Sequence, residues 1–194
     1  GINIHHCVGV RIENCDFRTG DDCIAGYDAE NIVVRNCSLN TACNSFRLGG
    51  RNLLVEDCRF WGPAEYPHRS SGRYNTLFAF AYYAFAYDTC RFDSENWVVR
   101  NCTFSGIDRL MYYNFGGDWN HDARPLRDLT LENVTIQGLS GPAHITTQPE
   151  YPIAVTLRNV SVSWRDGLPA EGALHTSRGV KLRLEDVTVE GICG

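Results

Sequence analysis

Two adjacent carboxylates, Asp21 and Asp22, are the residues of this sequence with the clearest chemical potential. They stand in a turn, directly before the apolar residues Cys23 and Ile24. Like charges held this close oppose joint ionisation, so one carboxyl group can keep a proton while the other acts as a base. Glycoside hydrolysis needs that division, because one carboxylic acid protonates the leaving oxygen and a second carboxylate activates water or attacks carbon. The pair therefore indicates glycan cleavage, although the same residues also occur in ordinary turns and in half of a calcium site.

A recurring motif must position the pair. Short segments with alternating apolar residues end in Asn or Asp, followed by Cys or Val, and the Asn or Asp anchors are separated by 22, 21, 44, 32, 26 and 27 residues. We interpret the step of 44 as two coils. Alternation is typical of strands with one buried face, and Asn and Asp tolerate the left-handed backbone of a corner. Such short units leave no room for crossover helices, so the repeat predicts an all-β fold, a right-handed parallel β-helix (solenoid). The anchors are Asn14, Asn36, Asp57, Asn101, Asn133, Asn159 and Asp186.

The whole chain, residues 1–194, is expected to form a single β-helix domain. Its first residues already belong to a repeat, so further N-terminal coils are expected to precede it. A formal net charge of −5 gives no basic surface for nucleic-acid phosphates, and no run of about 18 apolar residues could span a bilayer. We therefore expect a carbohydrate partner, and neither nucleic acid nor a membrane. The sequence leaves the oligomeric state open.

The cysteines are interpreted as buried free thiols, because Cys15, Cys37, Cys58 and Cys102 each follow an anchor of the repeat. There is no CxxC pair, and the six histidines show no ligand-like spacing, so we expect no metal and no cofactor. The compartment stays open. Export is slightly favoured for an enzyme that degrades polymers, whereas free thiols also suit a reducing cytoplasm.

A family resemblance accompanies the acid pair. The stretch from Gly1 to Cys15, followed by Gly-Asp-Asp-Cys-Ile-Ala at 20–25, resembles the polygalacturonase family of glycoside hydrolases (family 28). The resemblance covers residues 1 to about 60 well and extends to the rest only as generic β-helix. It implies that Asp21 is the general acid and that Asp22 is one of two carboxylates that activate water in an inverting displacement. A third family aspartate would stand immediately before Gly1.

Counting from the anchors predicts which residues share an edge with the pair. The offsets that lead from Cys15 to the pair lead to Cys43 and Asn44 one repeat later, and to Asp108 and Arg109 after Cys102. The family has a histidine where Asn44 stands, and its Arg-Ile-Lys motif has only a loose echo at 109–111. Pectin is therefore no more strongly predicted than another uronic-acid glycan or a neutral glycan.

Asn44, Asp108 and Arg109 are predicted to bind substrate, and further binding residues are predicted around the same edge. Arg47 is expected to point outward and to bind a carboxylate or hydroxyl, because a planar guanidinium matches a carboxylate with two parallel hydrogen bonds. A plain surface arginine is the alternative. His5, one coil before Tyr27, is a further candidate for the cleft. The polar loop 118–122 could form a subsite wall or be simply solvated.

The segment 74–92 alternates aromatic and small residues and changes phase after Tyr82. Core packing is favoured there over a sugar-stacking platform. The pattern predicts one face with Phe78, Phe80 and Tyr82, and the other with Tyr83, Phe85 and Tyr87.

The sequence is also compatible with two alternatives to hydrolysis. A polysaccharide lyase on the same fold would use a base, with calcium or arginine, to remove the proton next to a uronate carboxyl group. A non-catalytic β-helix would bind glycans or serve as a structural stalk. The products of the reaction, or their absence, separate these three hypotheses.

Overall fold

The computed structural model describes residues 1–84, 90–116 and 124–191. These residues form strands joined by turns and loops, without any α-helix, which confirms the all-β prediction. No helix in these ranges could cross a membrane. The strands are β1 (Ile2–Asn3), β2 (Val8–Glu13), β3 (Asp16–Thr19), β4 (Ile24–Arg35), β5 (Ser38–Thr41), β6 (Asn44–Glu56), β7 (Arg59–Trp61), β8 (Phe78–Tyr82), β9 (Glu95–Arg100), β10 (Thr103–Ser105), β11 (Arg109–Asn114), β12 (Asp128–Leu139), β13 (Ala143–Thr146), β14 (Ile153–Trp164), β15 (Leu174–Thr176) and β16 (Val180–Gly191).

The pairing between these strands is parallel, and each repeat motif pairs with the next one along the chain. Val10 lies opposite Ile32, Ile32 opposite Leu53, and Leu53 opposite Trp97. The separations of paired residues therefore equal those between the anchors, so the repeat motifs stack in register. The register continues from Trp97 through Leu129, Val155 and Leu182.

The step of 44 residues is a single repeat unit, so its interpretation as two coils is wrong. Strand β6 pairs directly with β9, and β7 pairs directly with β10, without an intervening unit. The additional residues lie in segment 62–77, between β7 and β8, and in the connection from β8 to β9. Sequence spacing cannot distinguish an extra unit from an insertion, because both lengthen the step equally. We call residues 62–77 the inserted loop.

The anchors form the corners that the repeat predicts. All seven have φ angles between 50° and 56°, in the left-handed region that Asn and Asp tolerate. Their side chains also form a ladder, in which Asn36 Nδ2 donates to Asn14 Oδ1 at 2.6 Å. A second ladder runs through Asn31, Asn52 and Asn96, with φ angles of 56°, 58° and 55°. This second corner is not among the features predicted from the sequence.

The core is filled by side chains that repeat from unit to unit. Phe60 and Phe104 stack with ring centroids 4.3 Å apart, and Phe46 and Phe80 stack at 5.1 Å. Burying each such ring contributes about 1.5–3 kcal/mol to stability. Buried thiols are predicted after four anchors. The prediction is confirmed for three of them, whereas the fourth, Cys15, is half-buried. The three buried cysteines are Cys37, Cys58 and Cys102.

One run of strands carries the acid pair along its edge. β1 pairs with the start of β4, which pairs with the start of β6, and the run continues through β8, β11, β13 and β15. We call this run the front strands. One row of residues in register along them is Asn3, Ala25, Arg47, Ala81, Tyr112, His144 and His175.

Candidate functional site

The acid pair lies in the turn that leads into β4. The hydroxyl groups of Thr19 and Thr41 both donate to the main-chain oxygen of Asp21, and the Thr41 bond measures 2.6 Å. The amide N–H of Asp22 donates to Asp21 Oδ1 at 2.9 Å. Asp21 is exposed, whereas the side chain of Asp22 is only 10% exposed. The turn is therefore held firmly, and its two carboxyl groups have different surroundings.

Asp22 is held by Asn44, as the offsets predict. The main-chain N–H of Asn44 and its Nδ2 both donate to Asp22 Oδ1, at 3.2 and 2.8 Å. Asn44 is 8% exposed, and its Oδ1 is buried without a hydrogen-bond partner. Turning the amide over would put that oxygen against the carboxylate, so the unpaired oxygen follows from the contact with Asp22. An unsatisfied buried group costs about 1–3 kcal/mol.

Arg47 lies beside this carboxylate, with Nη1 4.0 Å from Asp22 Oδ2. Its neighbours Phe46 and Leu48 are buried while its own side chain is 35% exposed, which confirms that Arg47 points outward. The guanidinium carbon lies 3.8 Å from the centre of the Tyr83 ring. Stacking on an aromatic ring restricts the guanidinium and leaves its edge available for hydrogen bonds. The site therefore combines a carboxyl pair with a positioned cation.

An aromatic row extends from Arg47 across the front strands. The Tyr83 and Tyr27 rings lie 5.7 Å apart, and the Tyr27 and His5 rings lie 4.2 Å apart. His5 thus lies one repeat unit before Tyr27, as predicted, and at the far end of this row from Arg47. Tyr83 follows the phase change in its segment, and that change was the signal for its outward position. The described part of the segment also includes Phe80 and Tyr82 in the core, as favoured, and Phe78 half-buried.

Three predictions concern residues outside the described ranges. These are Phe85 and Tyr87 of the aromatic segment and the polar loop 118–122.

Asp108 and Arg109 share the edge of the acid pair but lie apart from it. Arg109 is opposite Phe78, and Phe78 is opposite Asn44, so strand β8 intervenes. Three strand spacings separate Arg109 from Asp22, which is roughly 14 Å. Asp108 accepts hydrogen bonds from Asn75 Nδ2 at 2.5 Å and from the Ser140 hydroxyl group at 3.4 Å. The offsets from the anchors predict correctly that these residues share the edge of the acid pair. They do not reveal strand β8, which follows the inserted loop and lies between Arg109 and Asn44.

Cys43 and His68 are not among the functional residues predicted from the sequence. Asp21, Cys43 and His68 each place one potential ligand atom within 4.8 Å of the other two. Burial, and then the charges of Asp22 and Asp21, raises the pKa of the Cys43 thiol to about 12. Equal offsets from Cys15 and Cys37 lead to Asp21 and Cys43, so the repeat does indicate that Cys43 lies beside Asp21. His68 belongs to the inserted loop, whose path the repeat does not predict.

A scan against protein-family models finds no match for this chain, and a search of curated proteins finds no significant relative. The polygalacturonase family therefore remains a resemblance that rests on residues 1 to about 60.

Proposed function

We propose that this chain is a right-handed parallel β-helix whose acid pair hydrolyses a glycan, with uronic-acid glycans as the favoured substrates. The parallel, in-register pairing of successive repeat units and their left-handed Asn and Asp corners support the fold. One observation carries the function. An exposed carboxyl group, Asp21, adjoins a carboxylate held by Asn44, with an outward cation, Arg47, beside them.

Asp21 is the general acid in this proposal. It is exposed, and its main chain is held by two threonine hydroxyl groups, so its carboxyl group can meet a glycosidic oxygen without the turn moving. Asp22 is one of the carboxylates that activate the attacking water, and the two Asn44 N–H groups fix its orientation. The displacement then inverts the anomeric centre, because water attacks from the face opposite to the leaving oxygen.

The resemblance implies a third carboxylate immediately before Gly1, and the local geometry is compatible with this. A Cβ added to Gly1 would lie 2.2 Å from the main-chain oxygen of Asp22. The next residue, Ile2, donates its N–H to the main-chain oxygen of Cys23 at 2.8 Å. A residue that precedes Gly1 and continues β1 would therefore lie beside the acid pair.

Arg47 is the proposed substrate-binding residue, with a uronate carboxylate as its partner. Its stacking on Tyr83 fixes the plane of the guanidinium, and a planar fork binds a carboxylate through two hydrogen bonds. Hydrogen bonds to charged groups contribute about 1.5–3 kcal/mol each. This favours acidic over neutral sugars at the adjoining subsite. His5 and Tyr27 continue the same surface away from the acid pair.

The first test is glycan cleavage by the full natural protein and by its Asp21→Asn variant. Loss of the general acid should lower kcat by about 100- to 10,000-fold, because proton transfer by a positioned side chain contributes that much. Asp57→Asn is the matched control, since Asn occupies equivalent corners at Asn14 and Asn36 and this variant should keep full activity. Full activity of the Asp21 variant would contradict the proposal.

Product analysis separates hydrolysis from the alternatives. Hydrolysis gives saturated reducing ends with an inverted anomeric configuration, which NMR spectroscopy of early products detects. Unsaturated ends that absorb in the ultraviolet would identify a lyase. Binding of uronic-acid glycans without any turnover by the full natural protein would identify a glycan-binding module.

A further inference from the structure

Three side chains with metal-binding chemistry converge beside the acid pair. They are a carboxylate from the turn before β4, a thiol from the residue before β6, and an imidazole from the inserted loop. The ligand atoms of Asp21, Cys43 and His68 all lie within 4.8 Å of one another. Among the residues that the structure describes, this is the one group of three His, Cys, Asp or Glu side chains with such spacing.

Glycine makes the close approach of the inserted loop possible. A Cβ added to Gly20 would lie 2.4 Å from the main-chain oxygen of Pro67 and 3.8 Å from the Cα of His68. Any larger residue would therefore push the loop away from the turn that carries Asp21. Further along, the N–H of Leu77 donates to the main-chain oxygen of Cys43 at 2.8 Å. The loop thus approaches the turn of Asp21 at Gly20 and is hydrogen-bonded to Cys43.

The buried residue Asn40 provides a further attachment for the inserted loop. Its Nδ2 donates to the main-chain oxygens of Trp61 and Pro63, both at 2.9 Å. Its Oδ1 accepts from the N–H of Glu65 at 2.7 Å. Asn40 is completely buried, so the start of the loop is fixed to the body of the molecule. His68 therefore follows a segment with a defined path.

The ring of His68 is oriented by the loop itself. Its Nδ1 lies 3.0 Å from the Ser71 hydroxyl oxygen and 3.2 Å from that of Ser70. When Nδ1 carries the proton and donates to a serine, the lone pair is on Nε2. Metal-bound histidines commonly use one ring nitrogen as the ligand and the other as a donor to a fixed partner. A metal ion bound at Nε2 would therefore find the outer partner of its histidine in these serines.

The sulfur of Cys43 also has outer partners. Asn44 Nδ2 lies 3.5 Å from Cys43 Sγ, and Arg73 Nη2 lies 3.6 Å from it. The same guanidinium donates from Nη1 to the Ser71 hydroxyl group at 2.9 Å. Arg73 therefore connects the surroundings of Cys43 with those of His68. N–H donors that face a sulfur stabilise a metal-bound thiolate, because they share its negative charge.

We propose that Asp21, Cys43 and His68 bind a divalent transition-metal ion of the zinc class, with solvent as the fourth ligand. Thiolate and imidazole ligands favour Zn²⁺ over Mg²⁺ and Ca²⁺. Bond lengths of about 2.0–2.3 Å place tetrahedral ligands about 3.3–3.8 Å apart, so the three atoms need to move together by at most about 1.5 Å. Asp21 is exposed and His68 lies in a loop, so side-chain rotation can supply this movement. On binding, the Cys43 thiol releases its proton to solvent and the sulfur forms the bond to zinc.

A consequence for catalysis rests on the proposed function. A zinc ion bound to Asp21 occupies the carboxylate that would otherwise protonate the glycosidic oxygen. Zn²⁺ should therefore inhibit glycan cleavage, and removal of the ion by a chelator should restore it. The site would then act as a metal-dependent switch on the general acid.

Direct metal binding tests the site without any need for activity. The full natural protein is stripped with a chelator, and Zn²⁺ affinity is measured by competition with a chromophoric chelator. Cys43→Ser and His68→Asn should each weaken binding by at least about 100-fold, because loss of an outer partner alone costs about 10- to 100-fold. The matched controls Cys15→Ser and His175→Asn should bind as the unmodified protein does. Calcium should not compete.

Cobalt gives an independent measurement. Co²⁺ in the same site should show thiolate-to-metal charge-transfer absorption, which Cys43→Ser should abolish and Cys15→Ser should keep. Unchanged Zn²⁺ affinity in both ligand variants, or a Co²⁺ complex without thiolate absorption, overturns the metal site. Zinc that binds with the expected ligand dependence but leaves glycan cleavage unaffected overturns the acid role of Asp21 and not the metal site. Thermal unfolding of each variant confirms that it is folded.

Discussion

The turns that carry Asp21 and Asp108 occupy equivalent places in the repeat, yet their aspartates have different surroundings. The carboxylate of Asp108 is hydrogen-bonded within the fold, because Asn75 and the Ser140 hydroxyl group both donate to it. Its main-chain oxygen also accepts the N–H groups of Ser140 and Gly141, at 2.9 and 3.1 Å. Asp21 is exposed, and its carboxylate accepts the N–H of Asp22 next to it. Equal positions in a repeat therefore do not imply equal roles.

The inserted loop contributes to this difference because it touches both turns. Pro67 and His68 approach the first turn at Gly20, whereas Asn75 and Thr76 bind the second turn at Asp108. At the first turn the loop adds an imidazole beside an exposed carboxylate. At the second turn it supplies an amide, that of Asn75, which donates a hydrogen bond to the carboxylate. A ligand can therefore compete for Asp21 more easily than for Asp108.

Activity should distinguish the two turns most strongly. In the full natural protein, Asp21→Asn should lower kcat by about 100- to 10,000-fold, whereas Asp108→Asn should change it little. Rates of glycan cleavage at saturating substrate measure this ratio. Similar losses of kcat in the two variants would show that the two turns contribute equally to catalysis.

The two arginines offer the next comparison. Arg47→Lys should lower kcat/KM for a uronic-acid glycan by about 10- to 100-fold, since lysine keeps the charge but loses the planar fork stacked on Tyr83. Arg109→Lys should have little effect, because β8 separates it from Asp22. The measurement is steady-state kinetics on acidic and neutral glycans. An equal loss for both substrate types would contradict carboxylate recognition by Arg47.

Gly20→Ala should disrupt the contact between the first turn and the inserted loop. The new methyl group would meet the Pro67 main-chain oxygen at 2.4 Å, and overpacking of this kind costs about 1–3 kcal/mol. We expect a lower free energy of unfolding by urea and faster proteolysis within the loop. Arg69→Ala, an exposed change in the same loop, is the control and should have little effect on either. Unaltered stability of Gly20→Ala would mean that the loop is not seated on this turn.

The smallest expected effect concerns stability at the two aspartates. Asp108→Ala removes the carboxylate to which the Asn75 amide and the Ser140 hydroxyl group donate. This change should lower the free energy of unfolding by about 1–2 kcal/mol. Asp21→Ala should cost less than about 0.5 kcal/mol, as is usual for an exposed side chain. Urea unfolding of both variants measures the difference. A larger loss for Asp21 would assign it a structural role.

The sequence by itself determined the strands of the repeat motif, the left-handed corners at the anchors, and the register between neighbouring units outside the step of 44 residues. Apolar alternation and the Asn or Asp anchors are local signals, and side-chain period and left-handed backbone preference are properties of single residues. For the same reason, counting from Cys15 and Cys37 set Asn44 beside Asp22 correctly. These contacts occur between neighbouring repeat units of nearly equal length, where spacing in sequence translates directly into position.

Only the tertiary structure decided what the inserted loop does. The step of 44 residues looked like two units because spacing does not reveal where an insertion folds. The loop lies on the Gly20 turn through backbone packing and hydrogen bonds to Asn40, and it leads into the strand that separates Arg109 from Asn44. The approach of His68 to Asp21 and Cys43 depends on these long-range contacts. No local pattern encodes them, because each joins residues that are distant in the sequence.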